Sequence, residues 1–244
     1  MIPLTRHGFR EMLIGTVVLA AVTVVGGYIH WWWIAIITLP VLIWLFAFFR
    51  DPNRLIPVDE NTMVSPADGK VSDITEVPND ALLGGPAIRV GIFLSVFNVH
   101  INRSPCDAKV METRYKQGKF INAMDHSRAS DENESNTVLL GEPQTGKPVA
   151  VVKQIVGLIA RRIIFDAKQG ELLSRGQRIG MIKFGSRTEL TIPLTLEPQI
   201  MVKVGQTVRG GADIVAKLGK PIHTLVKSDD SSEVEKLAPR ETPA

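Results

Sequence analysis

Ser186 sits in a setting that suggests reactivity. In "IKFGSRTELTI", residues 182–192, it follows Gly185 between two apolar, strand-like runs where a sheet ordinarily carries neither residue. A glycine inside a strand marks a bulge or a close backbone approach. A serine hydroxyl becomes a nucleophile only when a neighbouring group removes its proton. Taken alone, Gly-Ser reads equally well as a turn, so its partners decide the matter. "VSPADGKV" puts Asp68 before Gly69, a pair common at hairpins. "FLSVFNVHINRSP" places His100 at the end of an apolar strand, with Asn98, Asn102 and Arg103 beside it. Imidazole changes charge near neutral pH, although a lone histidine there also serves as a structural residue. His126 in "AMDHSRAS" is a further proton carrier, and Arg161 and Arg162 in "ARRI" could meet an anion or simply form a solvated edge. The acidic and amide cluster around "SRASDENESN" reads as solvated surface rather than as a metal site.

These residues must be held by a scaffold, and 244 residues with 45% hydrophobic content suit one core-forming domain plus an accessory segment. Residues 12–49 contain no Asp, Glu, Lys or Arg. As a single helix this run would be about 57 Å long, against a hydrocarbon core of roughly 30 Å. Two short helices fit better, with a break at Gly26-Gly27 and interfacial aromatics at Tyr28 and Trp31 to Trp33. Arg6 and Arg10 before the run and Arg50 and Arg54 after it place both flanks on the cytoplasmic side of the cell membrane. Whether the hairpin spans the bilayer or dips into one leaflet stays open. The run exceeds a signal-peptide core and no cleavage site follows it, so it is read as retained. The expected organisation is a basic segment over 1–10, a membrane-associating helical hairpin over 11–49, a linker over 50–61, a β-rich domain over 62–222 and a charged, disordered tail over 223–244.

The net charge of +3 carries no nucleic-acid signature. The single Cys106 excludes an internal disulfide and a cysteine-rich metal site. From Thr62 onward, short β-rich runs alternate with Gly, Pro and Asn-Asp punctuation, which predicts a mainly-β sandwich. "GELLSRGQRIGMI" and "GQTVRGGADIVAKL" echo each other at a shift of 35, matching Gly170 with Gly205 and Gly176 with Gly211. The pattern resembles the hammerhead half-motif of lipoyl and biotinyl domains, with "VSPADGKVSDI" as its complementary half. A carrier or membrane adaptor would share that fold. Lys203, the nearest candidate for a carrier lysine, lies in a strand-like run without the usual flanking pattern, and no long helical hairpin separates the halves.

Together, "SPADGKV", "LSVFNVHINRSP", the "ENES" segment at 132–135, "GLIARRI", "FGS" at 184–186 and the N-terminal apolar run resemble the phosphatidylserine decarboxylase family, in particular its short bacterial form. The resemblance covers nearly the whole chain. It implies that the Gly185–Ser186 bond cuts itself and that Ser186 becomes a covalent pyruvoyl group, leaving large (1–185) and small (186–244) fragments as a heterodimer. That group would form a Schiff base with the amine of phosphatidylserine, release CO2 and yield phosphatidylethanolamine without an external cofactor. The resemblance also implies that Asp68 and a histidine assist the cut. Longer relatives carry two histidines spaced by three in this segment, whereas this chain has His100 and then Arg103. His100, His126 or Asp68 could therefore be the base, and Arg103, Arg161 and Arg162 could hold the substrate. On this reading the hairpin is a tether that raises local concentration. A membrane-anchored serine hydrolase using Ser186, His100 and Asp68 is the rival enzyme, and it requires an intact chain.

Overall fold

The computed structural model describes residues 3–59, 61–123, 126–158, 162–183 and 185–222. Two helices, α1 (Phe9–Tyr28) and α2 (Trp33–Phe48), form the N-terminal hairpin, and a short α3 (His126–Glu132) lies further along. The strands are β1 (Thr62–Val64), β2 (Gly69–Asp80), β3 (Gly85–Leu94), β4 (Ile101–Arg103), β5 (Ala108–Lys116), β6 (Ser135–Gly141), β7 (Pro148–Val156), β8 (Arg162–Phe165), β9 (Leu172–Leu173), β10 (Arg178–Lys183), β11 (Ser186–Pro193), β12 (Pro198–Ile200), β13 (Thr207–Val208) and β14 (Ile214–Leu218). The chain is thus mainly β with a helical N-terminal hairpin, as its patterning predicts.

An eight-stranded antiparallel sheet runs β13-β2-β3-β11-β7-β6-β5-β9, and two three-stranded sheets, β1-β14-β12 and β4-β10-β8, pack beside it. β11 holds a central place, paired with β3 on one side and β7 on the other. All eight of its residues are buried, so both faces of the strand meet protein. The main core lies among the strands and includes Val90, Ile92, Leu140, Val152, Leu190 and Ile192. Cys106 belongs to this core, and burial pushes its thiol up to about 12, which makes it packing rather than a nucleophile.

The 35-residue echo is a structural repeat. β13 pairs with the start of β2, and β9 pairs with the start of β5 in the same way. The structure adds a copy of SPADGKV that the echo does not include, Ser104-Pro105-Cys106-Asp107-Ala108-Lys109-Val110. In each copy the serine hydroxyl donates to a carbonyl two residues on, Ser65 to Ala67 at 2.6 Å and Ser104 to Cys106 at 2.7 Å. In each copy the Asp accepts a backbone N–H from the other half-motif, Asp68 from Gly210 at 2.8 Å and Asp107 from Arg175 at 2.7 Å. The repeated glycines Gly176 and Gly211 turn the chain with φ of 75° and 76°. Two intertwined half-motifs therefore build one body.

The hairpin breaks later than its glycines suggest. Helix α1 continues through Gly26 and Gly27, and the turn lies at Ile29–Trp32, where His30 has φ of 62°. Gly26 instead lets Ile34 of α2 come close, since a Cβ there would fall 2.8 Å from Ile34 Cδ1. The Thr23 and Thr38 hydroxyls bond across the two helices at 2.8 Å. Residues 6–28 are long and apolar enough to cross a membrane, with a mean hydropathy of 1.7 over the best window. The 16 residues of α2 rise about 24 Å and run on through Pro40 inside the helix.

Candidate active site

The site forms where the chain changes sheets. β10 ends at Lys183 in a small sheet, and β11 begins at Ser186 in the large one, so the corner is turned in two residues. Gly185 takes φ of 68°, a left-handed conformation that glycine adopts readily and that costs other residues about 1–2 kcal/mol. That corner is why a glycine precedes the serine. Its carbonyl lies against Gly157, at the end of β7, where a Cβ would come within 2.5 Å of the Gly185 oxygen. Two glycines thus bring two backbones together at the 185–186 bond.

Ser186 is fully buried, and its hydroxyl oxygen has no hydrogen-bond partner among the described residues. A buried polar atom without a partner costs about 1–3 kcal/mol, so an unsatisfied hydroxyl next to the left-handed Gly185 marks this corner as a candidate site. His100 is also fully buried. Its Nδ1 lies 3.0 Å from the Asn98 carbonyl, and the Gly185 N–H points to Nε2 at 3.3 Å. Nδ1 therefore carries the hydrogen, and Nε2 presents its lone pair at the residue that precedes Ser186. Burial, with Arg50 nearby, pushes the His100 pKa down to about 4 against the opposing effect of the Asn98 carbonyl. The imidazole is neutral at pH 7.

A buried amide ladder steadies the floor of the site. Asn102 donates to the Thr188 hydroxyl at 3.0 Å, Gln154 donates to Asn102 at 2.9 Å, and Asn136 donates to Gln154 at 3.0 Å. Thr188 shares the strand face of Ser186, two residues on. The "ENES" region supports the opposite wall: the Asn133 amide donates to the Val156 and Ile121 carbonyls at 2.8 Å each.

The hairpin forms the roof. The Phe48 ring lies on the His100 ring with centroids 4.3 Å apart, and Phe49 meets Phe48 edge-on at 5.0 Å. The Trp44 indole N–H donates to the Val96 carbonyl at 3.3 Å, and Arg50 donates to the Phe97 carbonyl at 2.8 Å. Met12, Phe48 and Phe49 join Val99, Ile101 and Met181 in a second buried cluster. Lys183, next to the corner, pairs with Glu11 of α1 at 2.6 Å. The hairpin thus packs directly on His100 and the corner, a contact that its reading as a tether does not include.

A family model described as phosphatidylserine decarboxylase matches residues 41–216. Curated relatives named phosphatidylserine decarboxylase proenzyme include one from Rhodopirellula baltica, 43% identical over 88% of this chain and 88% of its own. One from Carboxydothermus hydrogenoformans is 41% identical over 86% of this chain and 96% of its own, and one from Pelobacter propionicus is 45% identical over 70% and 76%. The chain belongs to the phosphatidylserine decarboxylase family.

For a member of this family, the remaining candidates fall into separate places. Asp68 does not touch His100 or Ser186. Its carboxylate accepts from Gly210 and pairs with Arg54 of the linker at 2.5 Å. Burial raises its pKa, with Arg54 acting in the opposite sense. The backbone N–H of Arg103 bonds to Pro66, so the Asp68 loop lies at the far end of β4, about 10 Å of strand from His100. The guanidinium of Arg103 is buried and occupied: it donates to Gly176 at 2.9 Å, Asp51 at 3.3 Å and Pro52 at 3.1 Å. Among the described contacts, it clamps the linker rather than facing a substrate. Arg162 is exposed at the start of β8, in register with Lys183. Arg161 lies outside the described residues, as does the tail beyond 222, and the His126 side chain is likewise not described. Phe48 and Gly157 escape a sequence reading because each matters through what it touches, and one is 52 residues from its partner in the chain.

Proposed function

We propose that this chain is a phosphatidylserine decarboxylase proenzyme that cuts itself between Gly185 and Ser186 and uses the new end at position 186 to convert phosphatidylserine to phosphatidylethanolamine and CO2. The observation that carries this is the unpartnered, buried Ser186 hydroxyl beside a left-handed Gly185 whose own N–H bonds to His100, in a chain of this family. In the cut, Ser186 Oγ attacks the Gly185 carbonyl carbon and gives up its proton to Nε2 of neutral His100, which releases the long Gly185 N–H bond to accept it. The peptide C–N bond breaks, the nitrogen takes the proton, and the chain is held as an ester. Loss of the Ser186 Cα proton then expels the Gly185 carboxylate and leaves a dehydroalanine, whose imine tautomer takes up water and releases ammonia to give the new carbonyl end. Asp68 supports this indirectly, since its pair with Arg54 pins the linker that follows Phe48 and Phe49, which lie over the site.

The corner fits a pyruvoyl group derived from Ser186, which supplies a carbonyl able to draw electrons from the carbon that loses CO2. His100, whose Nε2 lies at the corner, would carry the proton to and from that carbon. Arg162, exposed at the same end of the molecule, and Arg161 beside it in sequence are assigned to the lipid phosphate. The exposed apolar sides of α1 and α2 meet acyl chains, and basic Arg6 and Arg10 keep the catalytic domain at the cytoplasmic face of the cell membrane. The fragments stay together because β11 of the small one pairs with eight residues of β3 and six of β7 in the large one.

Intact mass and peptide mapping of purified protein test the proposal. Two fragments divided at 185/186 are expected, the smaller refractory to Edman sequencing, and Ser186→Ala should stay uncut and inactive. Decarboxylase activity from a single full-length chain would overturn it.

A further inference from the structure

The cut creates a difficulty that the proposed function leaves open. The reactive group must sit on the first residue of a strand, and chain ends fray unless they are tied down. In the intact chain Gly185 holds Ser186 from one side. After the cut, only strand pairing and the next side chain remain, and that side chain is Arg187.

Arg187 is completely buried, with a charged guanidinium in the protein interior. Its Nε donates to Glu189 at 2.9 Å on its own strand, while Nη1 donates to Ser72 at 2.5 Å and lies 2.7 Å from Asp73. Nη2 donates to the second Asp73 oxygen at 3.0 Å, so the Asp73 pairing is two-pronged. Burial works against the charge, but the bonds to Asp73 and Glu189 outweigh it and hold the Arg187 pKa above its ordinary value.

Two local devices make this reach possible. Strand order is β2-β3-β11, so Arg187 must pass over β3 to arrive at Asp73. It passes at Gly91, where a Cβ would fall 2.1 Å from Nη2. On β2 the register slips between Val71 and Asp73, a bulge that brings the consecutive residues Ser72 and Asp73 to the same guanidinium. A glycine gap and a bulge at matching positions serve one side chain.

We infer that Arg187 is a positioning residue, a clamp that ties the new N-terminus of the small fragment to β2 of the large fragment and so fixes the reactive group after the cut. This rests on the proposed self-cleavage. Ser72, Asp73 and Gly91 all belong to the large fragment, so the clamp crosses the division between fragments one residue from the reacting end. In the uncut chain Gly185 and the clamp restrain the same point, and the clamp is largely redundant. In the cut enzyme it is the side-chain tie nearest the end.

That redundancy gives a test that a merely structural ion pair would fail. Asp73→Asn is made in the native chain and in the uncut Ser186→Ala chain, and amide hydrogen exchange is followed by mass spectrometry in the peptide covering residues 186–193. Asp73→Asn should speed exchange by about tenfold or more in the cut enzyme, the scale of one lost charge-assisted hydrogen bond, and by less than about twofold in the uncut chain. Equal acceleration in both forms, or none in either, overturns the clamp. If Asp73→Asn does not fold, Ser72→Ala removes one donor contact and should show the same contrast at smaller size, with equality again overturning the clamp. Mass measurement of the native chain comes first: an uncut native protein would overturn the self-cleavage reading together with the clamp, whereas a cut protein with equal exchange overturns the clamp alone.

Discussion

Gly157 and His100 set the chemistry of the corner from opposite sides. A methyl group at position 157 would fall 2.5 Å from the Gly185 oxygen and 3.2 Å from Ala123 Cβ, so the Gly185 carbonyl must move or the wall must part. Overpacking of this kind costs about 1–3 kcal/mol, and Gly157→Ala should slow fragment appearance at least roughly tenfold in a time course while leaving a folded chain. His100 adds a pH dependence. With its pKa pushed from 6.5 to about 4, it remains an unprotonated base through mildly acidic conditions. Self-cleavage should therefore hold a constant rate from about pH 8 to about pH 5, where an ordinary histidine would lose half its base form at about 6.5. The same difference affects stability. Between pH 6.5 and 4 the unfolded imidazole takes a proton that the folded one refuses, so stability is full above that window and falls as pH drops through it. The loss approaches about 3 kcal/mol, to be read as a fall in Tm of the uncut Ser186→Ala protein that His100→Gln abolishes.

The hairpin and the linker form the next level, and they act as parts of the catalytic domain. Linker residues bind in several places: Asp51 to Arg103 and Arg178, Arg54 to Asp68, and the Asp59 carbonyl to Arg175. Three of the four arginines flanking the apolar run have partners in the rest of the protein, Arg6 on Asp166, Arg50 on Phe97 and Arg54 on Asp68. Deleting residues 1–49 removes Phe48 from His100 and uncovers Val99, Ile101 and Met181. The expected result is impaired self-cleavage even without any membrane, measured as accumulation of uncut chain in detergent. Cleavage at the native rate would return the hairpin to the role of a tether.

Across the whole molecule, the repeat places Asp68 and Asp107 in matching positions, each accepting one backbone N–H from the opposite half-motif. Only Asp68 also pairs with the linker, through Arg54. The two substitutions therefore separate scaffold from site. Asp107→Asn and Asp68→Asn should each cost about 1 kcal/mol of stability, read from denaturation of the uncut Ser186→Ala chain. Only Asp68→Asn should also slow self-cleavage, and combining it with Arg54→Ala should add little, because both changes break one pair. Equal cleavage defects in the two Asp variants would place the effect of Asp68 in the scaffold alone.

Much of this protein is legible in its chain, because periodicity and punctuation are local. The mainly-β body, the apolar helical hairpin, the paired Gly-rich turns at a 35-residue shift and the Gly185-Ser186 interruption all follow from residues near one another in sequence. The prominence of His100 is legible too, although β3 ends at Leu94, the pairing partner of Ser186, and His100 lies six residues on, in the loop just before β4, rather than at the end of the apolar strand. What the tertiary structure decided depends on contacts between distant segments. The turn of the hairpin falls after the glycines because Gly26 is needed for helix packing. Asp68 stands with Arg54 and away from His100 because β4 separates them, and Arg103 is consumed by the linker because Asp51 lies buried beside it. Phe48 covers His100, Gly157 backs the Gly185 carbonyl, and Arg187 reaches Asp73 over Gly91. Hydrophobic period and turn chemistry act over a few residues and can be read along a chain, whereas the side chain a buried charge meets is set only when strands far apart in sequence are laid side by side.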